Sequence, residues 1–258
     1  MKEILKFNLK GLSGIIKKPE SNEIYFTYNN IHKIAILGII GSIIGENGYN
    51  YNSIKRELKH ELKSELPEFY ENLKDLKIAL THDDKYPIFT KKIQMFNNSV
   101  GYASKEEGNN LIVTEQWIEN PSWNIYILDN GSEEYKKIKE YLINKKCEYV
   151  PYIGKNEHFA NINNIEILQG NKEMKPLKID SIFTDIKYEI SPDEDEPFFA
   201  FEDETLIEYE YFEVLPTKLD SKIGYTDFKK FICTNKNIKV LENVDNVYNL
   251  SGKNIYFF

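Results

Sequence analysis

The chain has 258 residues, 41% of them hydrophobic and 14% aromatic, with a formal net charge of −8. That length buries roughly 70% of the unfolded surface without a disulfide or metal staple, and Cys147 and Cys233, lacking metal-ligand or redox spacing, read as free thiols. No H-x-E, C-x-x-C or H-E-x-x-H pattern occurs, which argues against the common metal centres, and MKEILKFNLK lacks the continuous apolar stretch of a secretory signal, so a cytoplasmic location with no membrane partner is expected.

The charge is unevenly placed. Residues 1–180 balance 25 basic against 25 acidic side chains, while residues 181–258 carry 8 against 16. The acids are densest from Asp185 to Glu213, whereas residues 1–18 hold five lysines against Glu3. A polyanion that touches one face responds to that face rather than to the total, so a basic edge and an acidic tail imply two different partners. Arg56 is the only arginine beside 32 lysines, so any phosphate contact is a point charge rather than a bidentate fork.

Alternation over Lys2 to Leu12 predicts a first strand, followed by a basic turn at Lys17 and Lys18. The stretch ILGIIGSIIG comes next. It lacks the lysine of a G-x-x-x-x-G-K-[ST] loop and the spacing of a dinucleotide fingerprint, and its apolar run is well short of the roughly 20 residues that span a bilayer. A buried helix over Ile31 to Ile44 fits, capped by Asn29 or Asn30, with Gly38, Gly41, Ser42 and Gly45 along one face. Three glycines cost such a helix about 2–3 kcal/mol relative to alanine, so close approach to a sheet or another backbone is expected.

SIKRELKHEL predicts a peripheral helix with Ile54, Leu58 and Leu62 in line, ending before Pro67, and a second strand is expected near Leu76 to Thr81. Residues 84–120 have two strand-like arms around a polar tip and are too long for an ordinary loop. SWNIYIL reads as a strand, and Ser132 caps a helix with Tyr135, Ile138 and Leu142 inward and Lys145 and Lys146 in its last turn. Another strand is expected at Tyr149 to Ile153. Beyond it, IDSIFTDIKYEI, LIEYEYFEVLP and DFKKFICT read as strands around an exposed acidic loop, ISPDEDEP.

The segment GLSGIIKKPESNEIYFTYNNIHKIAILGIIGSIIGENGY resembles the N-terminal signature of the CRISPR-associated Cascade subunit that grips the 5′ handle of the guide RNA, the fifth Cas protein family, and most closely its type I-B form. FYENLKDLKIAL, NNLIVTEQWIENPSWNIYIL and VPYIGKNEHFA agree with later family segments, so the resemblance spans about residues 1–168; the family usually has proline where His32 stands. It implies an α+β fold: a ferredoxin-like, RRM-like βαββαβ core of the RAMP superfamily in residues 1–170, a β-hairpin thumb at about 84–120, and a β-rich C-terminal region in 171–258. The glycine-striped helix would be helix one, packed flat on the sheet. It also implies a non-catalytic subunit without cofactor that binds crRNA, contacts the Cascade backbone and large subunits, and meets target DNA only indirectly.

By motif position the resemblance assigns RNA contacts to Lys17, Lys18, Asn22, Lys33, Lys155 and Asn156, with Tyr28 a further RNA-binding candidate and Tyr102, Gln116 and Trp117 near the stacking or wedging work of the thumb. Singly, each lysine reads first as a solvated surface group; Trp123 reads first as an anchor of the hairpin base, and Trp117 reads equally as anchor or wedge. A metal-free endoribonuclease is the competing reading, since type I-C relatives cut precursor RNA with a tyrosine, a lysine and a histidine; here only His32 with Tyr28 and Lys33 forms such a cluster. An unrelated RRM protein is disfavoured because its aromatic signature is absent.

Overall fold

The computed structural model describes residues 1–21, 23–62, 64–83, 86–99, 101, 105, 111–191 and 207–258. In chain order the elements are β1 (Lys2–Lys10), β2 (Ser13–Gly14), β3 (Ile24–Tyr25), α1 (Lys33–Ile44), α2 (Tyr49–Glu57), α3 (Glu68–Leu73), β4 (Ile78–His82), β5 (Lys91–Asn97), β6 (Ile112–Glu119), β7 (Ser122–Leu128), α4 (Glu133–Ile143), β8 (Asn161–Lys172), β9 (Tyr188–Ile190), β10 (Glu210–Asp220), β11 (Gly224–Thr234), β12 (Ile238–Val240), β13 (Val247–Leu250) and β14 (Lys253–Tyr256).

The fold is mixed α+β, rich in antiparallel sheet with few helices. Its main sheet runs β14-β13-β8-β1-β7-β4. Within it, β1, β4, β7 and β8 are joined as βαββαβ, with α1 crossing between the first two and α4 between the last two. Period-two alternation turns Leu5, Phe7 and Leu9 of β1 and Ile125 and Ile127 of β7 to the same side. There they share one core with Leu37, Ile40 and Ile44 of α1 and with Tyr135, Ile138 and Leu142 of α4. β10 and β11 form a separate hairpin that sends Leu215, Leu219 and Phe231 into the same core. The last two strands extend the main sheet beyond β8.

Several expectations change. The glycine stripe of α1 does not face the sheet: a Cβ on Gly41 would lie 2.5 Å from Phe69 Cβ of α3, while the isoleucine faces meet the sheet core. His32, not Asn29 or Asn30, caps α1, its Nδ1 accepting from Ala35 N at 3.2 Å. Asn29 and Asn30 instead give their backbone N–H groups to the Glu213 carboxylate, each at 2.8 Å, so the hairpin of β10 and β11 is tied to the start of α1. α2 begins earlier than its pattern implied, ends before Leu58, and buries none of its side chains.

The fourth core strand is β8 rather than Tyr149 to Ile153. Pro151 has no N–H to give a ladder, and Ile153 spends its own backbone on His158 and Ile15. In FYENLKDLKIAL the first half is α3, because Phe69, Tyr70 and Leu73 fall on one helical side, and only IAL enters β4. Lys145 and Lys146 lie past the end of α4, with Lys145 at φ 53°. Of IDSIFTDIKYEI only Tyr188–Ile190 is strand. The acidic stretch from Pro192 lies outside the described residues.

The two helix glycines predict opposite outcomes. Alanine at Gly38 meets Phe69 at an ordinary 3.7 Å and should gain up to about 1 kcal/mol from helix propensity. Alanine at Gly41 should lose about 1–3 kcal/mol to overpacking despite the same propensity gain. Urea unfolding of the two variants measures both.

Candidate nucleic-acid interface

The interface begins with two glycines. Gly14 in β2 approaches Ile153 so closely that a Cβ there would lie 2.5 Å from its Cγ2. Gly154, at φ 86°, would place a Cβ 1.6 Å from the Ile15 carbonyl oxygen. No other residue fits that position, because both the left-handed backbone and the contact require hydrogen in place of a side chain. The turn that carries Lys155 is thereby set directly on β2.

β2 is part of a second sheet in which β6 pairs with β2, β3 and β5. The β5 and β6 pair lies within the long segment expected to be the thumb. Registered partners share a face, so Lys92 and Trp117 lie with Phe96, Glu115 and Tyr25 on one side. Ile93, Met95, Thr114 and Gln116 lie on the other. The first side collects ammonium groups over rings: Lys17 Nζ sits 3.7 Å from the Tyr25 ring centre, Lys155 5.3 Å from Phe96 and Lys92 5.9 Å from Trp117. Each such stack contributes about 0.5–1 kcal/mol at an exposed site and fixes the cation in place. Beside them Lys18 Nζ lies 5.1 Å from the Tyr28 ring.

Glu115 organises this side. It is 1% exposed, and its carboxylate accepts from Lys155 Nζ and from Trp117 Nε1, both at 2.8 Å. Lys155 is therefore an ion-paired group whose charge is partly answered within the chain. Trp117 also stands edge-on to His158, ring centres 4.6 Å apart, and His158 Nδ1 bonds the Ser13 hydroxyl at 2.7 Å. Burial lowers the His158 pKa and leaves its Nε2 without a partner.

The remaining assigned residues distribute as follows. Gln116 is half-buried and accepts from Thr27 N at 3.3 Å, which makes it a link between β6 and the strand before α1. Asn156 is exposed in the Lys155 turn. Tyr28 is 1% exposed and burial raises its pKa, so its ring is available only as the platform under Lys18. Lys33 points away from the group: its Nζ donates to the Phe258 carbonyl oxygen at 3.4 Å, and burial pushes its pKa down to about 8. Asn22 and Tyr102 lie outside the described residues.

Tyr28, His32 and Lys33 are adjacent without forming an open catalytic set. His32 is 1% exposed between the Tyr28 and Tyr225 rings, its Nδ1 is committed to the helix cap, and burial pushes its pKa down to about 3. Among the described residues no cluster of His, Cys, Asp and Glu is placed to hold a metal ion, and no helix is long and apolar enough to cross a membrane. The sequence reading missed Tyr25, Lys92, Phe96 and Glu115. Alternation within the hairpin carried that signal, since it puts Lys92 and Phe96 in phase.

No known family model matches the chain, and no curated protein matches it. Among solved structures it is similar to a chain of a CRISPR RNA-guided surveillance complex, at 12% identity and TM-score 0.47 over 90% of this chain and 91% of that one. It is also similar to a CRISPR protein from Archaeoglobus fulgidus, at 11% identity and TM-score 0.46 over 98% of both chains. A third similar chain, described as a Cas protein, has 11% identity and TM-score 0.41 over 93% of this chain and 95% of that one.

Two outcomes test the internal chemistry. Lys155→Met strips Glu115 of its cation and should cost about 1–3 kcal/mol, most of it recovered in Lys155→Met/Glu115→Gln, as read by thermal melts. Below its ordinary pKa of about 6.5, His32 takes up a proton in the unfolded chain but not in the folded one. Stability should therefore fall as pH drops from about 6.5 toward 4, by at most about 1.4 kcal/mol per unit for each such histidine. His82, half-buried and pushed by desolvation down to about 4, adds to the same slope. His32→Asn, which keeps a capping oxygen, should flatten the dependence in urea titrations.

Proposed function

We propose that the chain is a non-catalytic crRNA-binding subunit of a type I-B Cascade, holding the 5′ handle of the guide RNA and joining the backbone filament to the large subunit in the cytoplasm. The observation that carries this reading is the single face on which Lys17, Lys92 and Lys155 each stand over a ring. Such a face offers cations to phosphates and aromatic edges to bases at once. Gly14 and Gly154 supply further support: they press together the turn after strand one and the YIGKNE turn, two stretches that carry the sequence resemblance.

The βαββαβ connectivity, with β8, β1, β7 and β4 side by side, supports a ferredoxin-like RAMP core, and the β5 and β6 hairpin supports a thumb. Its second side is apolar and open, with Ile93, Met95 and Ile112 each more than half exposed. That side suits contact with the backbone subunit, while target DNA is met through the guide rather than through this chain.

Lys155 is held by the buried Glu115, whereas Lys92 makes only a half-exposed surface pair with Glu119 at 3.1 Å, so the phosphate contacts are assigned to Lys17, Lys18 and Lys92. Alanine at these three should weaken binding of mature guide RNA and reduce the slope of log affinity against log salt by about 2, at roughly 0.7 per contact. Filter binding across a salt series measures it, and precursor RNA incubated with the chain without metal should stay intact. Unchanged affinity, or cleavage of the precursor, overturns the proposal.

A further inference from the structure

A cavity of about 710 Å³ opens against the outer side of α1, within the size range of ligand sites. Its lining includes Ala35, Gly38 and Ser42, a stretch of helix almost without side chains. The segment leading into the Lys155 turn contributes Tyr149 and Tyr152, α2 contributes Tyr49 and Tyr51, and β11 contributes Tyr225. Tyr49, Tyr149 and Tyr152 are 55%, 58% and 45% exposed, an unusual concentration of uncovered rings.

Three of the polar groups along the lining are already engaged. Ser42 Oγ donates to the Ile39 carbonyl at 2.7 Å, Asn47 is held by the Glu68 carboxylate, and Glu46 accepts from Asn72 at 2.6 Å. What the cavity offers an incoming group is mainly ring faces and aliphatic surface. α2 sharpens the point. It is a nine-residue helix with no buried side chain, shorter than the roughly 12–15 residues an isolated helix needs to be stable in water. A ligand between α2 and α1 would give it something to pack on.

We propose that this cavity receives unstacked bases of the same single-stranded RNA whose phosphates lie on the lysine face. The inference rests on the RNA-binding reading above and extends it to a second surface. Continuity favours RNA: the cavity lining includes Ile16 and Gly154, and the Gly154 turn packed on β2 also presents Lys155. Composition favours it too, because tyrosine faces accept any base by stacking. The Tyr51 ring also carries Lys55 Nζ at 4.5 Å, which puts a cation at the edge where the strand would pass.

The test compares wild type with Tyr49→Ala/Tyr152→Ala and Tyr49→Phe/Tyr152→Phe, binding single-stranded guide RNA and its 5-iodouridine-substituted form. The alanine pair should bind roughly 10- to 100-fold more weakly with an unchanged salt slope, and the phenylalanine pair should bind like wild type. Photocrosslinks from iodouridine should map to Tyr49, Tyr149 or Tyr152. Both positions are exposed, and thermal melts of each variant check folding. If wild type binds RNA while the alanine pair is unaffected and crosslinks fall elsewhere, the cavity assignment is overturned and the lysine face stands. Loss of a partner polypeptide with RNA binding intact overturns it in favour of protein docking. If wild type binds no RNA, the reading beneath it fails as well.

Discussion

The contact on which the interface depends is between two stretches of backbone with no side chain between them. At Gly154 the chain turns through the left-handed region against the Ile15 carbonyl, and Ile15 N in turn donates to the Ile153 carbonyl at 3.2 Å. That seam fixes the Lys155 turn relative to β2, and β2 relative to β6. The cation over Phe96, the carboxylate of Glu115 and the Trp117 ring then occupy one side of one sheet. A β-carbon at Gly154 would part the seam and dissolve this geometry.

A sheet of four short strands standing off a larger one exposes both sides, and here the two sides differ in kind. One carries lysines held over rings, with a buried carboxylate beneath. The other carries Ile93 and Met95, 56% and 63% exposed. Water solvates the first readily. The second leaves apolar area uncovered on a protruding hairpin, the pattern of a surface that another macromolecule covers. The hairpin thus separates a side bearing lysines over rings from a side bearing exposed apolar residues by strand alternation alone, since neighbours in sequence necessarily point opposite ways.

Much of this was legible in the sequence. β1, α1, β7 and α4 follow from alternation, from an isoleucine-rich run, and from a Ser132 cap whose hydroxyl accepts from Tyr135 N at 3.1 Å. β8 was not legible because it is broken: between Lys6 and Asn8 its register shifts, Asn164 takes φ 50°, and the alternation that announces a strand changes phase. The closing hairpin of β13 and β14 was announced by Ser251 and Gly252, both at positive φ in a two-residue turn, a signal available and unread. The glycine stripe was read correctly as a demand for close approach, but nothing local says that the approaching group is Phe69. For the same reason Lys155 read as a free cation. Glu115 lies far from it in sequence, and a pairing of that kind is a property of the fold.

The excess of acid over base need not oppose a polyanionic ligand. Glu115 and Glu213, 1% and 7% exposed, spend their charge inward, one on Lys155 and Trp117, the other on the backbone N–H groups ahead of α1. Lys17 and Lys92 keep theirs at the surface over rings, Lys92 also pairing with the half-buried Glu119 at 3.1 Å. With a single arginine in the chain, no bidentate fork is available to orient a phosphate, and a lone ammonium is a poor guide to direction. Laying each ammonium across an aromatic face restricts its swing and restores some of that direction. Glu115 and Glu119 answer Lys155 and Lys92 on this side, which leaves Lys17 and Lys18 as its uncompensated cations among the described residues, and they act locally because the range of an exposed charge in physiological salt is about 8 Å.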